Sequence, residues 1–333
     1  MTEYLIVGAG FAGSVCARRL ADAGHRVRLV DQRNHIGGNA YDSYNDDGVL
    51  VHKYGAHIFH TNAKTVVEYL SQFTEWRPYE HRVLASVEGT LLPVPINRTT
   101  LAHFGGDIER AIDALYRPYT RKQWGMEIED LDPSVLARVK VRDSDDDRYF
   151  TDRYQMMPLH GYTRLFERML DHPNIQIHMQ TTCADVLGRG WSGPIIYTGP
   201  LDQWFACVLG TLPYRSARFE WRRETTAQAA AVVNVPSPTL PYTRICDCRQ
   251  LTGQRHEYTS LCMEYPSATG EPYWPIPTSA NLALAKRYRA MAAALAPRVQ
   301  FLGRLGSYQY YDMHHVIAQA LTLTQRLLER TAA

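Results

Sequence analysis

The chain opens with a short apolar run, Tyr4-Leu5-Ile6-Val7, followed at once by the turn Gly8-Ala9-Gly10-Phe11-Ala12-Gly13. Behind the turn, Val15, Cys16, Leu20 and Ala23 recur at helical spacing, and Gly24 supplies a stop signal. A second apolar run, Val27-Arg28-Leu29-Val30, ends on Asp31. This pattern predicts a strand, a helix and a parallel second strand, the opening of an α/β fold. Further along, Val83-Leu84-Ala85-Ser86-Val87 and Leu91-Leu92-Pro93-Val94 flank Glu88-Gly89-Thr90, which predicts a β-hairpin. No apolar run approaches the roughly 18 residues of a membrane helix. The first residues enter the opening strand with no basic leader and apolar stretch ahead of it, so no secretory leader is expected and a cytoplasmic protein is.

The glycine spacing carries chemistry. Gly8 permits the tight turn out of the strand, Gly10 lets backbone approach a pyrophosphate, and Gly13 lets the helix pack on the sheet. The helix N-terminus directs unpaired N–H groups and a positive dipole end at the phosphates. Asp31 stands where an acidic residue accepts ribose hydroxyls. A dinucleotide site is therefore expected. Asp31-Gln32-Arg33 alone leaves NAD and FAD open. The next segment, Arg33-Asn34-His35-Ile36-Gly37-Gly38-Asn39, is a second glycine turn. Flavoproteins of the glutathione-reductase type use such a turn to bring backbone amides to the same pyrophosphate, and it selects FAD.

Length and composition narrow the picture. The 333 residues suggest two lobes or one large α/β body. With 45% hydrophobic and 21% charged residues the composition is that of an ordinary globular protein. Lys+Arg 36 against Asp+Glu 34 leaves a charge of +2, so neither a nucleic-acid surface nor a polybasic membrane anchor is expected. The six cysteines are scattered without zinc spacing, and adjacent His314 and His315 point in different directions on a helix, so no metal site is expected. Tyrosine is abundant at 21 residues, which suits sites that bind planar groups and phosphates.

Longer strings are more specific than the glycine motif. They are Val51-His52-Lys53-Tyr54-Gly55-Ala56-His57-Ile58-Phe59-His60-Thr61, Tyr119-Thr120-Arg121-Lys122-Gln123-Trp124-Gly125, Asp152-Arg153-Tyr154-Gln155, Ile196-Tyr197-Thr198-Gly199-Pro200, Pro241-Tyr242-Thr243-Arg244 and Gly303-Arg304-Leu305-Gly306-Ser307-Tyr308-Gln309-Tyr310-Tyr311-Asp312-Met313. In these strings the sequence resembles the UDP-galactopyranose mutase family from end to end. The resemblance implies a Rossmann-like FAD-binding domain (residues 1–80, 155–210 and 295–333), a small helical insertion (96–140) and a twisted antiparallel sheet domain (81–95 and 211–275). It departs from the family in three places. The stretch between Asn97 and Tyr119 is short, which implies a monomer or an atypical dimer. Trp274 stands where a second tyrosine is common, and Ser267 where some relatives carry a phosphate-binding arginine.

The resemblance also implies roles. FAD would be held by Gly8, Gly10, Phe11, Ala12, Gly13, Asp31, Gln32, Gly38, Asn39, His57, Arg304, Asp312 and Met313. Substrate would be held by Tyr119, Trp124, Arg138, Tyr149, Arg244, Trp274, Arg304, Tyr308 and Tyr310. Arg138, Arg304 and His57 are the expected catalytic group. Guanidinium suits the part because its planar fork makes two parallel bonds to a phosphate. The implied reaction interconverts pyranose and furanose forms of a nucleotide sugar, UDP-galactose foremost. N5 of reduced FAD attacks the anomeric carbon and expels the diphosphate, after an external reductant such as NAD(P)H has charged the flavin. Two alternatives stay open: the same chemistry on another nucleotide sugar, such as a dTDP-deoxyhexose, and an amine-oxidase-like flavin oxidoreductase, which predicts an apolar tunnel without an arginine cluster.

Overall fold

In the computed structural model the opening apolar run, Glu3–Val7, lies at the centre of a five-stranded parallel sheet. The strand order is Ile175–His178, Arg26–Val30, Glu3–Val7, Ile195–Tyr197, Val299–Phe301, and every pairing is parallel. The structure describes residues 1–133 and 139–332. Helix Phe11–Asp22 follows the glycine turn and buries Val15, Cys16 and Leu20 in one core with Phe166 and Met169 of helix Tyr162–Leu170 and Ile317 of helix Met313–Ala332. The parallel sheet is thus covered by segments from both ends of the chain, and no single cut separates it from the rest.

A second, seven-stranded sheet runs in the order Trp274–Pro275, Tyr214–Glu224, Thr259–Ser267, Arg244–Asp247, Val232–Asn234, Val83–Val87, Thr90–Val94. It is antiparallel except where Val232–Asn234 lies parallel to Val83–Val87. The expected hairpin is present: Val83 pairs with Val94 and Val87 with Thr90, around Glu88 and Gly89, both with positive φ as the right-handed twist of a two-residue loop favours. Between the sheets in sequence lie the short helices Arg98–His103, Ile108–Leu115 and Arg117–Trp124. Phe104, Ala111 and Leu115 bury against Val83, Leu92 and Val94, so this segment is seated on the second sheet.

A small hairpin joins the cofactor side of the molecule to helix Tyr162–Leu170. Asp42, on strand Asp42–Tyr44, is 2% exposed. Its carboxylate accepts from the backbone N–H groups of Tyr162 (2.6 Å) and Thr163 (2.8 Å), two of the unpaired donors at that helix start. Burial pushes its pKa up, opposed by these bonds. Asp42→Ala should leave both amides unsatisfied and lower stability by about 1–3 kcal/mol. Thermal unfolding of the cofactor-loaded protein measures this, and an unchanged midpoint would remove the cap from the account.

Candidate functional site

Two glycine turns meet at the end of the parallel sheet. A Cβ on Gly13 would lie 1.9 Å from the Gly8 carbonyl oxygen, and one on Gly38 (φ +56°) would lie 2.9 Å from Gly10 Cα. Side chains are excluded at both points, so backbone faces backbone. Gly37 N–H donates to Ala9 O at 2.9 Å and stitches the turns together. Asp31 works from the same place. One carboxylate oxygen accepts from Ala9 N–H (2.8 Å) and the other from Arg33 N–H (2.9 Å), so it braces both loops and keeps lone pairs for a further donor. Helix Phe11–Asp22 has no side-chain cap and no acidic residue in its first turn, which leaves its positive end unneutralised.

These features border a cavity of about 760 Å³. Gly8, Gly10, Phe11, Ala12, Asp31, Gln32, Gly38 and Asn39 line it, and Gly13 serves the packing behind it. A phosphate-bearing dinucleotide fits a cradle of this make: backbone amides, an uncapped helix start and an acidic residue at the second strand. Thr181, Thr182, Thr198 and Glu271 also line it and were not anticipated as cofactor contacts. Thr181 enters because its amide bonds Asp31 O at 2.9 Å, a pairing between residues 150 positions apart that local pattern does not reveal.

A second cavity, about 270 Å³, abuts the first, and Asn39, His57, Tyr273, Arg304 and Met313 line both. Tyr119, Thr120, Gln123 and Trp124 form one face of helix Arg117–Trp124 along it. Tyr149, Arg244, Trp274 and Tyr310, expected at the substrate, also line it; Asp312, anticipated at the flavin, borders this cavity and not the first. Asn234 and His81 were missed. Asn234 is the register partner of Arg244 on the neighbouring strand, a relation visible only once the strands pair. Arg138 lies outside the described residues.

Tyr308 is a correction. It has no exposed surface, its hydroxyl donates to Pro213 O (2.7 Å) and Ile276 O (3.2 Å), and its ring packs edge-on against Tyr214. It is a core residue and does not reach the second cavity. Its backbone sits at φ +48°, which turns the side chain inward while Tyr310, two residues on, meets Trp124 at the cavity wall.

The charges are held firmly. Arg304 Nε and Nη2 donate to Tyr311 O (3.0 and 2.8 Å), and Nη1 donates to Tyr273 O (3.3 Å). Arg244 Nε donates to Glu264 Oε2 at 2.8 Å. Burial works against the Arg244 charge, yet the Glu264 carboxylate holds its pKa well above the ordinary value. His57 is the opposite case. Burial, with help from His52, Arg304 and Arg244, drives its pKa down to about 3, against the pull of its bond to Gly55 O. The ring is therefore neutral, and because a carbonyl only accepts, Nδ1 carries the proton donated to Gly55 O (3.0 Å).

Fold and site together define a class: a Rossmann-type dinucleotide-binding protein whose cofactor cavity opens onto a second, arginine-bearing one. Comparison with known proteins is specific. A family model described as UDP-galactopyranose mutase matches residues 114–310, and one for an NAD(P)-binding Rossmann-like domain matches residues 6–73. The chain is 37% identical to a probable UDP-galactopyranose mutase of Klebsiella pneumoniae, over 99% of this chain and 96% of that protein. It is 30% identical to a dTDP-fucopyranose mutase of Escherichia coli, over 98% of each. The crystal structure of a reduced UDP-galactopyranose mutase shares the fold, with a TM-score of 0.78 at 14% identity over 99% of this chain and 96% of that one. The chain belongs to the UDP-galactopyranose mutase family, and it is an isomerase of the mutase type.

Four histidines near the site are depressed by burial: His52 and His314 to about 4, His57 and His81 to about 3. A histidine held neutral in the native state but near 6.5 when unfolded gives the unfolded chain the greater proton uptake at low pH. Stability should therefore be independent of these groups above pH about 6.5 and fall as pH drops from there toward 4, by up to about 1.4 kcal/mol per pH unit for each. Denaturant unfolding at pH 7.5, 6 and 5 should show this slope. His81→Gln should reduce it; an identical slope in that variant would exclude His81.

Proposed function

We propose that this enzyme interconverts the pyranose and furanose forms of a nucleotide sugar, UDP-galactose in the first place, with FAD in the first cavity and the nucleotide sugar in the second. The observation that carries the reading is the shared wall: Arg304 and His57 border both cavities, so a group at the end of the cofactor would meet the sugar there. Residues 1–80, 155–210 and 295–333 would form the cofactor domain. When bound and reduced by an external donor such as NAD(P)H, the flavin supplies the nucleophile that the protein's own side chains lack.

The chain's residues then have separable tasks. Arg244, Arg304 and Arg138 neutralise the diphosphate as it departs and keep it close for return. Tyr149 and Tyr310 offer hydroxyls to it. Tyr119 stacks on the base, and Trp124 lies toward the sugar. Neutral His57 accepts at Nε2 beside the flavin without adding a competing positive charge. The arginines count against an amine-oxidase-like reaction, which wants an apolar tunnel. A second substrate keeps support from one feature. Trp274 packs with Trp124, Leu131, Met126 and Tyr310, an apolar wall suited to a deoxysugar such as that on dTDP.

The test is incubation of the dithionite-reduced protein with UDP-galactofuranose, UDP-galactopyranose and dTDP-linked deoxysugars, followed by chromatography. Pyranose–furanose exchange without net oxidation is expected, and FAD should be released on denaturation. A colourless protein, or turnover with oxidised flavin, would overturn the reading. Arg304→Ala should lower kcat/KM by roughly 10- to 150-fold, the worth of a bond to a charged group, while FAD content stays at the wild-type level. Unchanged turnover would remove Arg304 from the diphosphate clamp.

A further inference from the structure

We infer that Lys122 is a positioning residue for the second cavity: its ammonium bolts helix Arg117–Trp124 to loop 235–242, so that the helix face and Arg244 keep one geometry. The inference rests on the reading of that cavity as the nucleotide-sugar site.

Lys122 Nζ donates to the carbonyl oxygens of Val235, Ser237 (2.9 Å), Leu240 (3.1 Å) and Tyr242 (2.8 Å). An ammonium has three N–H groups, so four carbonyls around it share its protons and meet the charge as dipoles. The loop, Val235-Pro236-Ser237-Pro238-Thr239-Leu240-Pro241-Tyr242, is rich in proline and has little regular pairing to occupy those oxygens. Lys122 occupies them instead.

Both things so joined are walls of the cavity. On the helix, Tyr119, Thr120, Gln123 and Trp124 flank Lys122 in sequence and face the cavity. The loop leaves strand Val232–Asn234 just after Asn234 and returns to strand Arg244–Asp247 just before Arg244, and both of those residues line the cavity. Thr243 Oγ1 adds a bond to Gln123 Oε1 at 3.4 Å. The helix is also held at its C-terminal end, where buried Arg215 donates to Gln123 O (2.8 Å) and Lys122 O (3.1 Å), which suits a cation at that pole. Arg215 fixes the helix end; Lys122 fixes the helix to the loop.

Burial lowers the Lys122 pKa to about 8. The charged groups on the elements joined to it are Arg215 from strand Tyr214–Glu224, which donates to Lys122 O, and Arg121 of its own helix, exposed and paired with Glu127, while the loop's Tyr242 ring packs edge-on against Tyr265 of strand Thr259–Ser267. The Tyr265 phenol is raised above its usual value, through its bond to Glu220 first of all.

The experiment compares wild type, Lys122→Met and Lys122→Arg as FAD-loaded, reduced holoenzymes acting on the nucleotide sugar that wild type accepts. Lys122→Met should raise KM by about 10-fold or more with kcat within about 3-fold, the loss of a charged hydrogen-bond set felt in binding. Lys122→Arg should recover part of the loss, and FAD content should be unchanged throughout. Wild-type KM should rise above pH 8 as the ammonium loses its proton. A folded Lys122→Met with wild-type KM overturns the inference. Should that variant fail to fold, Lys122→Gln takes its place, and a folded Lys122→Gln with wild-type KM overturns the inference. A wild type that neither binds UDP nor exchanges sugar forms removes the nucleotide-sugar reading and this inference with it; a defect confined to the variants cannot arise that way.

Discussion

Glu264 is 1% exposed and accepts from Arg244 at 2.8 Å, and much of the second cavity hangs on that ion pair. A lone buried carboxylate would be costly, as would a lone buried guanidinium. Together they are tolerable, and the arginine keeps a quarter of its side chain open toward the cavity. Glu264 also shapes the turn that carries His57. A Cβ on Gly55 would come within 2.8 Å of Glu264 Oε2, so only glycine leaves room for the carboxylate, and Gly55 O in turn fixes the His57 ring. One buried charge thereby sets the direction of an arginine and, through backbone, the tautomer of a histidine at the shared wall.

The consequence for chemistry is a cavity with fixed cations beside the neutral imidazoles of His57 and His81. Arg304 is aimed by carbonyls from two different segments, and Arg244 by a carboxylate from a third. Neither needs to reorganise when negative charge grows nearby, which is the condition for electrostatic stabilisation inside a water-poor site. His57 and His81 stay neutral because burial refuses them a proton in the presence of those cations. On the proposed reading that division is useful. A diphosphate leaves as an anion and must be held by charge, whereas a protonated histidine at the flavin would compete for it.

The two cavities differ in how far they can be read from sequence, and the reason is locality. The two glycine turns of the first cavity come from residues 8–39, where glycine spacing, helix period and strand runs each leave a local mark, whereas Thr181, Thr198, Glu271 and Arg304 reach the same cavity from far along the chain. The second cavity draws on residues from 39 to 313. Tyr119, Trp124, Arg244, Arg304 and Tyr310 stood out in ordered strings, but Asn234 and His81 lie in none of them, and Asn234 enters through strand register. Tyr308 shows the limit of such a string. Tyr308 and Tyr310 lie in one irregular segment, where neither a 3.6 nor a 2.0 period predicts direction. A positive φ at Tyr308 decides the matter by turning it into the core.

Ser267 and Trp274, the two positions expected to depart from the family's pattern, also separate once the fold is known. Ser267 lines neither cavity; its hydroxyl closes a turn onto Thr269 O at 2.7 Å. The serine is a local turn former. Trp274 is different, because it faces the second cavity and packs with Trp124 and Tyr310. An indole in that wall donates one hydrogen bond and accepts none, where a phenol could do both. The indole adds apolar area to the wall beside the place the proposed reading assigns to the sugar. On the proposed reading, the glycine turns of the first cavity present backbone to the cofactor, and discrimination between one nucleotide sugar and another falls to the side chains of the second cavity. Among those, Trp274 makes part of the wall apolar while Arg244 and Arg304 give it charge, so on that reading recognition of the sugar and stabilisation of the departing diphosphate rest on different residues.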